Sequence, residues 1–278
     1  MVSRVETCFK NYLDWESDAL TDKLLQTSFY AKVKYEVRRF LIWRLDEALR
    51  YFSVVETIKK YKAKNSAILE VGSGSVGISC ILRQKVIGLD HDFKGPKLGY
   101  LRGIKGIATY LPFKDGTFDF VISVDMLEHL PGNERVQAIS EMIRVSKLFV
   151  IIGAPCDSEA EEYEKKFNNF YKGKFGQDQK WLKEHTKNRL PGTEEILSII
   201  GKTSEQLGTH CRVRTTDNFN LRFWYLYRLF TTSSNRIGVV AKNKILQPFF
   251  PLFKRFNGGK CYRKVFTVTK NGSQILGK

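Results

Sequence analysis

The sequence predicts an α/β fold in which a mostly parallel sheet is covered by helices on both faces. Three observations carry that prediction. Short apolar runs recur through the middle of the chain, helix-compatible segments separate them, and Glu70-Val-Gly72-Ser-Gly74 stands where a first strand would turn back. Strand alternating with helix at this pace means βαβ units, the connection that parallel strands require.

The elements follow in order. Residues 1 to about 64 read as a helical extension. From Tyr30 to Tyr61 the apolar positions Val33, Val37, Phe40, Leu41, Leu45, Leu49, Phe52, Val55 and Ile58 recur at three- and four-residue spacing, with lysine and arginine opposite. That is one face of an amphipathic helix, expected to pack on the core. Ala67–Val71 is a short apolar run stopped by glycine, as a buried strand ends. Val86–Leu89, Phe118–Val124 and Lys147–Gly153 repeat the pattern, with helix-compatible stretches near 76–84, 93–102 and 133–145. Residues 157–190 are polar and loop- or helix-like, the glutamate-rich start at Glu159–Glu164 reading as solvated. Thr193–Ile200 reads as a helix with Thr193 as N-cap and Gly201 near its end. His210–Thr216 and Tyr262–Thr269 read as two late strands, separated by a segment, 218–258, that a minimal core would not need.

Charge and cysteines narrow the function. Forty-six basic against 29 acidic residues leave a formal charge of +17, which favours an anionic partner: nucleic acid, a phosphorylated small molecule or a membrane surface. Cys8, Cys80, Cys156, Cys211 and Cys261 are scattered singly, so neither a disulfide framework nor a zinc site is suggested, and no metal site is expected. A reducing, cytoplasmic compartment fits that usage. The first residues mix Arg4, Glu6, Lys10, Asp14 and Glu16 without a signal-like apolar stretch, and no window is apolar enough to span a membrane.

The chemistry sits in three motifs. Glu70-Val-Gly72-Ser73-Gly74-Ser-Val-Gly77 lets the backbone approach a ligand closely, and by itself fits a dinucleotide enzyme equally well. Asp90 closes the second run, where a carboxylate can accept both hydroxyls of a ribose; that supports a nucleoside cofactor without distinguishing NAD from S-adenosylmethionine. The third motif discriminates. Ala108-Thr-Tyr-Leu-Pro112-Phe-Lys-Asp-Gly-Thr-Phe118-Asp119, continuing through Ser123-Val124-Asp125 to Leu127-Glu128-His129, resembles the signature of the small-molecule branch of class I S-adenosylmethionine methyltransferases. The resemblance runs from about 66 to 155.

That resemblance implies a Rossmann-like, seven-stranded, mostly parallel sheet with a helical N-terminal extension (1–64) and a methyltransferase domain (65–278). The cofactor half would be 65–156, with lid elements at 157–190 and 218–258. It implies S-adenosylmethionine as cofactor. Gly72, Ser73 and Gly74 would face its methionine part, braced by Glu70. Asp90 would hold the ribose, with His91 near the adenine edge and Ala108 against the ring. Ser123, Val124 and Asp125 would lie close to the amino group and the transferred methyl. Family members often carry an aspartate before that alanine; here the residue is Ile107, so adenine would rest on apolar and backbone contacts. His129 is the first candidate for a base, with Asp125 and Glu128 as alternates. His185 reads as a surface histidine, or else a second acid or base. Cys156, in Ala154-Pro155-Cys156, is similar to the Pro-Cys of RNA cytosine-5 methyltransferases, yet nothing visible would depress its pKa, so it reads as incidental.

The acceptor stays open. Arg222–Phe230 and Phe249–Phe256 interleave aromatic and basic residues around Arg236, Lys242 and Lys244. That mix suits a membrane interface and a lipid-linked acceptor. It suits equally a single-stranded nucleic-acid groove, or a lid that only packs on the core. The branch itself commonly acts on metabolites, lipids and sugars.

Overall fold

A computed structural model describes residues 44–62, 65–94, 100–253 and 255–270, together with Val33. Seven strands form one sheet in the order β3-β2-β1-β4-β5-β7-β6. They are β1 (Ile68–Val71), β2 (Val86–Asp90), β3 (Leu101–Lys105), β4 (Phe118–Val124), β5 (Ser146–Pro155), β6 (Cys211–Asn220) and β7 (Cys261–Lys270). The first five run parallel, and β7 lies antiparallel between β5 and β6.

Alternation along the strands builds the two faces. Ile68, Phe120, Ile122 and Ile151 point to one side, where they bury Val54, Val55 and Ile58 of α1 (Leu45–Tyr61). Leu69, Val121, Val150 and Ile152 point to the other. There they meet Ile139, Met142 and Ile143 of α3 (Gly132–Val145), and Ile196 and Ile200 of α6 (Thr193–Gln206). Each fully buried aliphatic side chain contributes roughly 1.5–3 kcal/mol. These layers hold the C-terminal ends of β1, β2 and β4 side by side, which is where open α/β sheets place ligands.

A third cluster sits over those ends. Leu45 and Leu49 of α1 pack with Phe167 of α4 (Asp157–Phe175), Leu182 of α5 (Lys180–Asn188), Trp224 and Tyr227 of α7 (Leu221–Thr231), and Tyr262 of β7. The segment 221–253 is therefore helical and docked: α7, then α8 (Arg236–Leu246) and the short α9 (Phe250–Phe253).

Several expectations are corrected. Leu101 and Arg102, the end of the helix-compatible stretch 93–102, instead open edge strand β3, whose Arg102, Gly103 and Lys105 mask the apolar signal. Basic residues are common on exposed edges. Residues 95–99 of that stretch lie outside the described residues. The helix expected over 76–84 shrinks to α2 (Ser79–Leu82). Thr193 is the first residue of α6, not its cap: Asp157 accepts from the Thr193 amide (2.7 Å) and hydroxyl (2.6 Å) from across the fold, and Gly201 lies inside the helix. Strand β6 extends to Asn220, beyond the expected end at 216. In α1 the predicted positions Leu45, Leu49, Val55 and Ile58 are buried, whereas Val33 is exposed. Val37, Phe40 and Leu41 lie outside the described residues.

Candidate functional site

The turn after β1 is built on glycine. Gly72, Gly74 and Gly77 all have positive φ (78°, 56° and 53°), a conformation that side-chain-bearing residues rarely adopt. Gly74 has open space where a Cβ would stand, whereas a Cβ on Gly77 would come within 2.1 Å of Glu70 Oε2. Glu70 is fully buried beneath this turn. Its Oε2 accepts from the Ile78 amide and its Oε1 from the Tyr51 hydroxyl, both at 2.7 Å. Burial pushes the carboxyl up to about 7 against the pull of those donors. Gly77→Ala should therefore cost about 1–3 kcal/mol of stability through positive-φ strain alone. Thermal melting checks this; an unchanged midpoint would mean that the turn is not held as described.

Asp90 closes the other side. Its Oδ2 accepts from the Gly74 amide (2.8 Å) and its Oδ1 from the Asp92 amide (3.0 Å). One carboxylate thus ties the glycine turn to the tip of β2, with lone pairs left for a ligand. Between them lies a cleft of about 660 Å³, walled by Gly72–Gly74, Asp90, His91, Ile107, Ala108, Val124 and Asp125. His91 Nδ1 lies 3.1 Å from Asp90, with the side chain 85% exposed. Ile107 is also exposed, and it bridges to Tyr110. Ser123 departs from expectation: it is buried, its Oγ has no partner among the described residues, and the wall at this strand tip is Val124 and Asp125 instead.

Asp125, at φ 53°, is held by two arginines that the strand motif does not reveal. Arg263 of β7 donates through Nε and Nη2, both at 2.5 Å, and Arg50 Nε of α1 lies 3.0 Å away without hydrogen-bond alignment. Burial would raise this carboxyl, but the two guanidiniums outweigh it and hold it at about 2. Asp125 is consequently a poor proton acceptor and a strong fixed charge. Arg263 also reaches Asn218 Oδ1 (3.3 Å), whose amide donates to Leu49 O (3.1 Å), so β4, β6, β7 and α1 are pinned at one point.

A second chamber of about 430 Å³ opens beside the cleft and shares Arg50, Asp125 and His129 with it. The motif Leu127-Glu128-His129 forms a 3₁₀ turn along it. That turn is anchored by buried Arg135, which donates to Leu127 O (3.1 Å), Leu130 O (3.0 Å), Asn188 O (3.0 Å), Arg189 O and Glu195. Glu128 is buried, and burial followed by the Asp125 charge pushes its carboxyl well above the usual range. His129 Nδ1 lies 2.7 Å from Glu184 Oε2; burial, and then the neighbouring His185, lower the imidazole's pKa and favour its neutral form.

His185 is not a surface residue. It is 5% exposed and meets Glu164 at 2.9 Å, and Glu164 in turn accepts from the Tyr262 hydroxyl at 2.6 Å. Glu164 likewise departs from the solvated reading of its stretch. Arg50, Arg135, Glu164 and Arg263 were not singled out from sequence, because each belongs to an ordinary helix or strand pattern.

Cys156 follows β5 and is buried; burial, then Asp157, drive its thiol pKa far above the ordinary value. Cys211 and Cys261 are also free thiols. In the native protein Cys156 should resist iodoacetamide at pH 8 while half-exposed Cys211 reacts, as peptide mapping would show. Rapid native labelling of Cys156 would return it to the list of nucleophiles.

Comparison with known proteins agrees with this geometry. Residues 69–148 match the family model described as a methyltransferase domain. The chain is 34% identical over 118 residues to norajmaline N-methyltransferase of Rauvolfia serpentina, covering 37% of this chain and 38% of that protein's length. A solved S-adenosylmethionine-dependent methyltransferase of Thermotoga maritima, described as a possible histamine N-methyltransferase, superposes with a TM-score of 0.50 at 18% identity. The match covers 81% of this chain and 91% of that one. A protein of Anabaena variabilis, described as a candidate methyltransferase from an antibiotic biosynthesis pathway, gives a TM-score of 0.50 at 15% identity, with 79% and 98% covered. These two structures speak for the fold alone. Residues 69–148 are thus similar to a methyltransferase domain, and the glycine turn, Asp90 and the sheet order are consistent with that match.

Proposed function

We propose that the chain is an S-adenosylmethionine-dependent methyltransferase acting on a small, anionic acceptor, a sugar or lipid-linked compound, that enters the second chamber. The observation that carries this reading is the adjacency of two cavities, a nucleoside-sized cleft and a polar chamber, joined at Asp125 and His129. The residues of the cleft fit the cofactor. Gly74 leaves the space a Cβ would fill, Asp90 offers lone pairs to ribose hydroxyls, and Ala108 with Ile107 offers an apolar edge to adenine. Bound there, S-adenosylmethionine supplies an electrophilic methyl on a sulfonium.

The protein's own part is positioning and proton handling. Asp125, fixed by two arginines, presents negative charge at the join. Neutral His129 is placed to accept a proton from an acceptor lying across it. Arg228, which lines the chamber and whose buried Nε makes no hydrogen bond among the described residues, supports an anionic acceptor. Burying that acceptor between α1, α5 and α7 excludes water from the transfer.

A lipid-linked acceptor draws support from Leu226, Phe230, Ile237, Ile245, Phe249 and Leu252, exposed on the docked helices 221–253. Among the described residues no helix is long and apolar enough to cross a membrane, so contact would be peripheral. Binding to RNA that falls steeply with salt would favour a nucleic-acid acceptor instead.

The primary test is calorimetric titration with S-adenosylmethionine, S-adenosylhomocysteine and NAD. Saturable binding of the first two is expected. Tight binding of NAD alone would overturn the proposal.

A further inference from the structure

A second cluster faces the acceptor chamber. Glu128, His129 and His185 each bring one donor atom to within 4.8 Å of the others. The chain has four histidines, and two of them meet here with ring centroids 5.0 Å apart. Each ring is held from behind by a carboxylate: His129 Nδ1 by Glu184 at 2.7 Å and His185 Nδ1 by Glu164 at 2.9 Å. A carboxylate on Nδ1 fixes the tautomer and leaves the Nε2 lone pair free, which is how metal-binding imidazoles are commonly oriented.

The third member points the same way independently. Glu128 is 1% exposed, and its Oε2 has no hydrogen-bond partner among the described residues. A buried carboxylate oxygen without a donor is costly unless a positive group meets it or a proton neutralises the carboxyl. Arg263 and Arg50 act on it through their charge, but both pair with Asp125 and neither donates to Oε2.

We propose that Glu128, His129 and His185 bind a divalent transition-metal cation at the join of the two cavities, and that an acceptor oxygen completes its coordination. Two imidazoles and one carboxylate suit zinc, manganese or iron rather than magnesium or calcium. Ligands about 2.0–2.2 Å from a shared ion stand no more than roughly 4.4 Å apart, so the widest pair must draw together slightly. His129 is the freer partner for that closure, with a side chain 37% exposed against 5% for His185. Three protein ligands leave coordination positions open. A hydroxyl bound there would have its pKa lowered and its proton released to water, with His129 acting as a ligand instead of a base. That role rests on the methyl-transfer reading; the cation site itself does not.

Cysteine spacing is silent about such a site, since its ligands come from the turn after β4 and from α5. The test is titration of the untagged, chelator-stripped full chain with Zn²⁺ and Mn²⁺, followed by calorimetry, and with Co²⁺, followed by visible absorption. One equivalent per chain is expected. Glu128→Gln and His129→Gln should each weaken binding by about 100-fold, and Glu164→Gln by about 10-fold. His210→Gln, on an exposed residue, should bind as the parent does. Circular dichroism establishes that each variant is folded. Absence of stoichiometric binding, or binding that survives both Glu128→Gln and His129→Gln, overturns the site. S-adenosylhomocysteine binding on the same stripped protein keeps the two proposals separate. Cofactor without metal overturns only this site; metal without cofactor overturns only the methyl-transfer reading.

Discussion

Asp90→Ala is expected to weaken S-adenosylhomocysteine binding by roughly 100-fold or more while leaving the protein folded. The carboxylate would accept from two ribose hydroxyls, and hydrogen bonds to a charged group contribute about 1.5–3 kcal/mol each. Two such bonds are a factor of roughly 100 or more in affinity. The substitution also releases the Gly74 and Asp92 amides, which Asp90 now holds at 2.8 and 3.0 Å. Asp90→Asn, which keeps one acceptor oxygen, should lose only about 10-fold. Calorimetry on both variants, with a melting curve for each, separates lost contacts from a collapsed turn. If Asp90→Ala binds like the parent protein, the cleft does not hold a ribose at β2.

The largest stability effect is expected at Asp125. Removing its carboxylate leaves Arg263, whose side chain is 5% exposed, and Arg50, at 23%, without their counter-charge. Breaking a buried pair from one side costs about 3–5 kcal/mol. For a chain of this size that is roughly 10 °C in Tm. Asn tolerates the positive φ that Asp125 adopts, so Asp125→Asn isolates the charge, whereas Ala adds backbone strain.

The pH dependence has a definite sign. Asp125 titrates near 2 in the folded state and at 3.8 unfolded, so its stabilisation is complete above about pH 4 and is lost as pH falls toward 2. The parent should therefore lose about 2 kcal/mol over that interval that Asp125→Asn does not lose. Parallel acid limbs for the two proteins would show that the ion pair is not formed.

Much of the glycine-lined cleft was legible along the chain, because its parts are local. The run before Gly72, the glycines themselves and Asp90 lie within about 20 residues, and strand periodicity puts them at one edge of a sheet. Edge strand β3 was not legible: its alternation of half-buried and exposed residues, with Arg102 and Lys105 in five positions, carries no apolar run.

The second chamber was not legible for a different reason: its members come from distant elements. Arg50 has the sequence environment of an ordinary solvated arginine on an amphipathic helix, and becomes a site residue only because α1 crosses the tip of β4. Arg263 lies near the end of the chain and reaches Asp125 only because β7 inserts antiparallel beside β5. His185 reads as exposed in Trp181-Leu-Lys-Glu-His185, yet α5 packs over the turn at Leu127–His129 and buries it against Glu164. The sequence by itself determined the inner strands of the sheet, the family resemblance and the glycine turn, since hydrophobic periodicity and backbone conformation are properties of neighbouring residues. Which charges are buried, and which of them meet, was decided by the tertiary structure, because desolvation and ion pairing depend on what the folded chain brings from elsewhere.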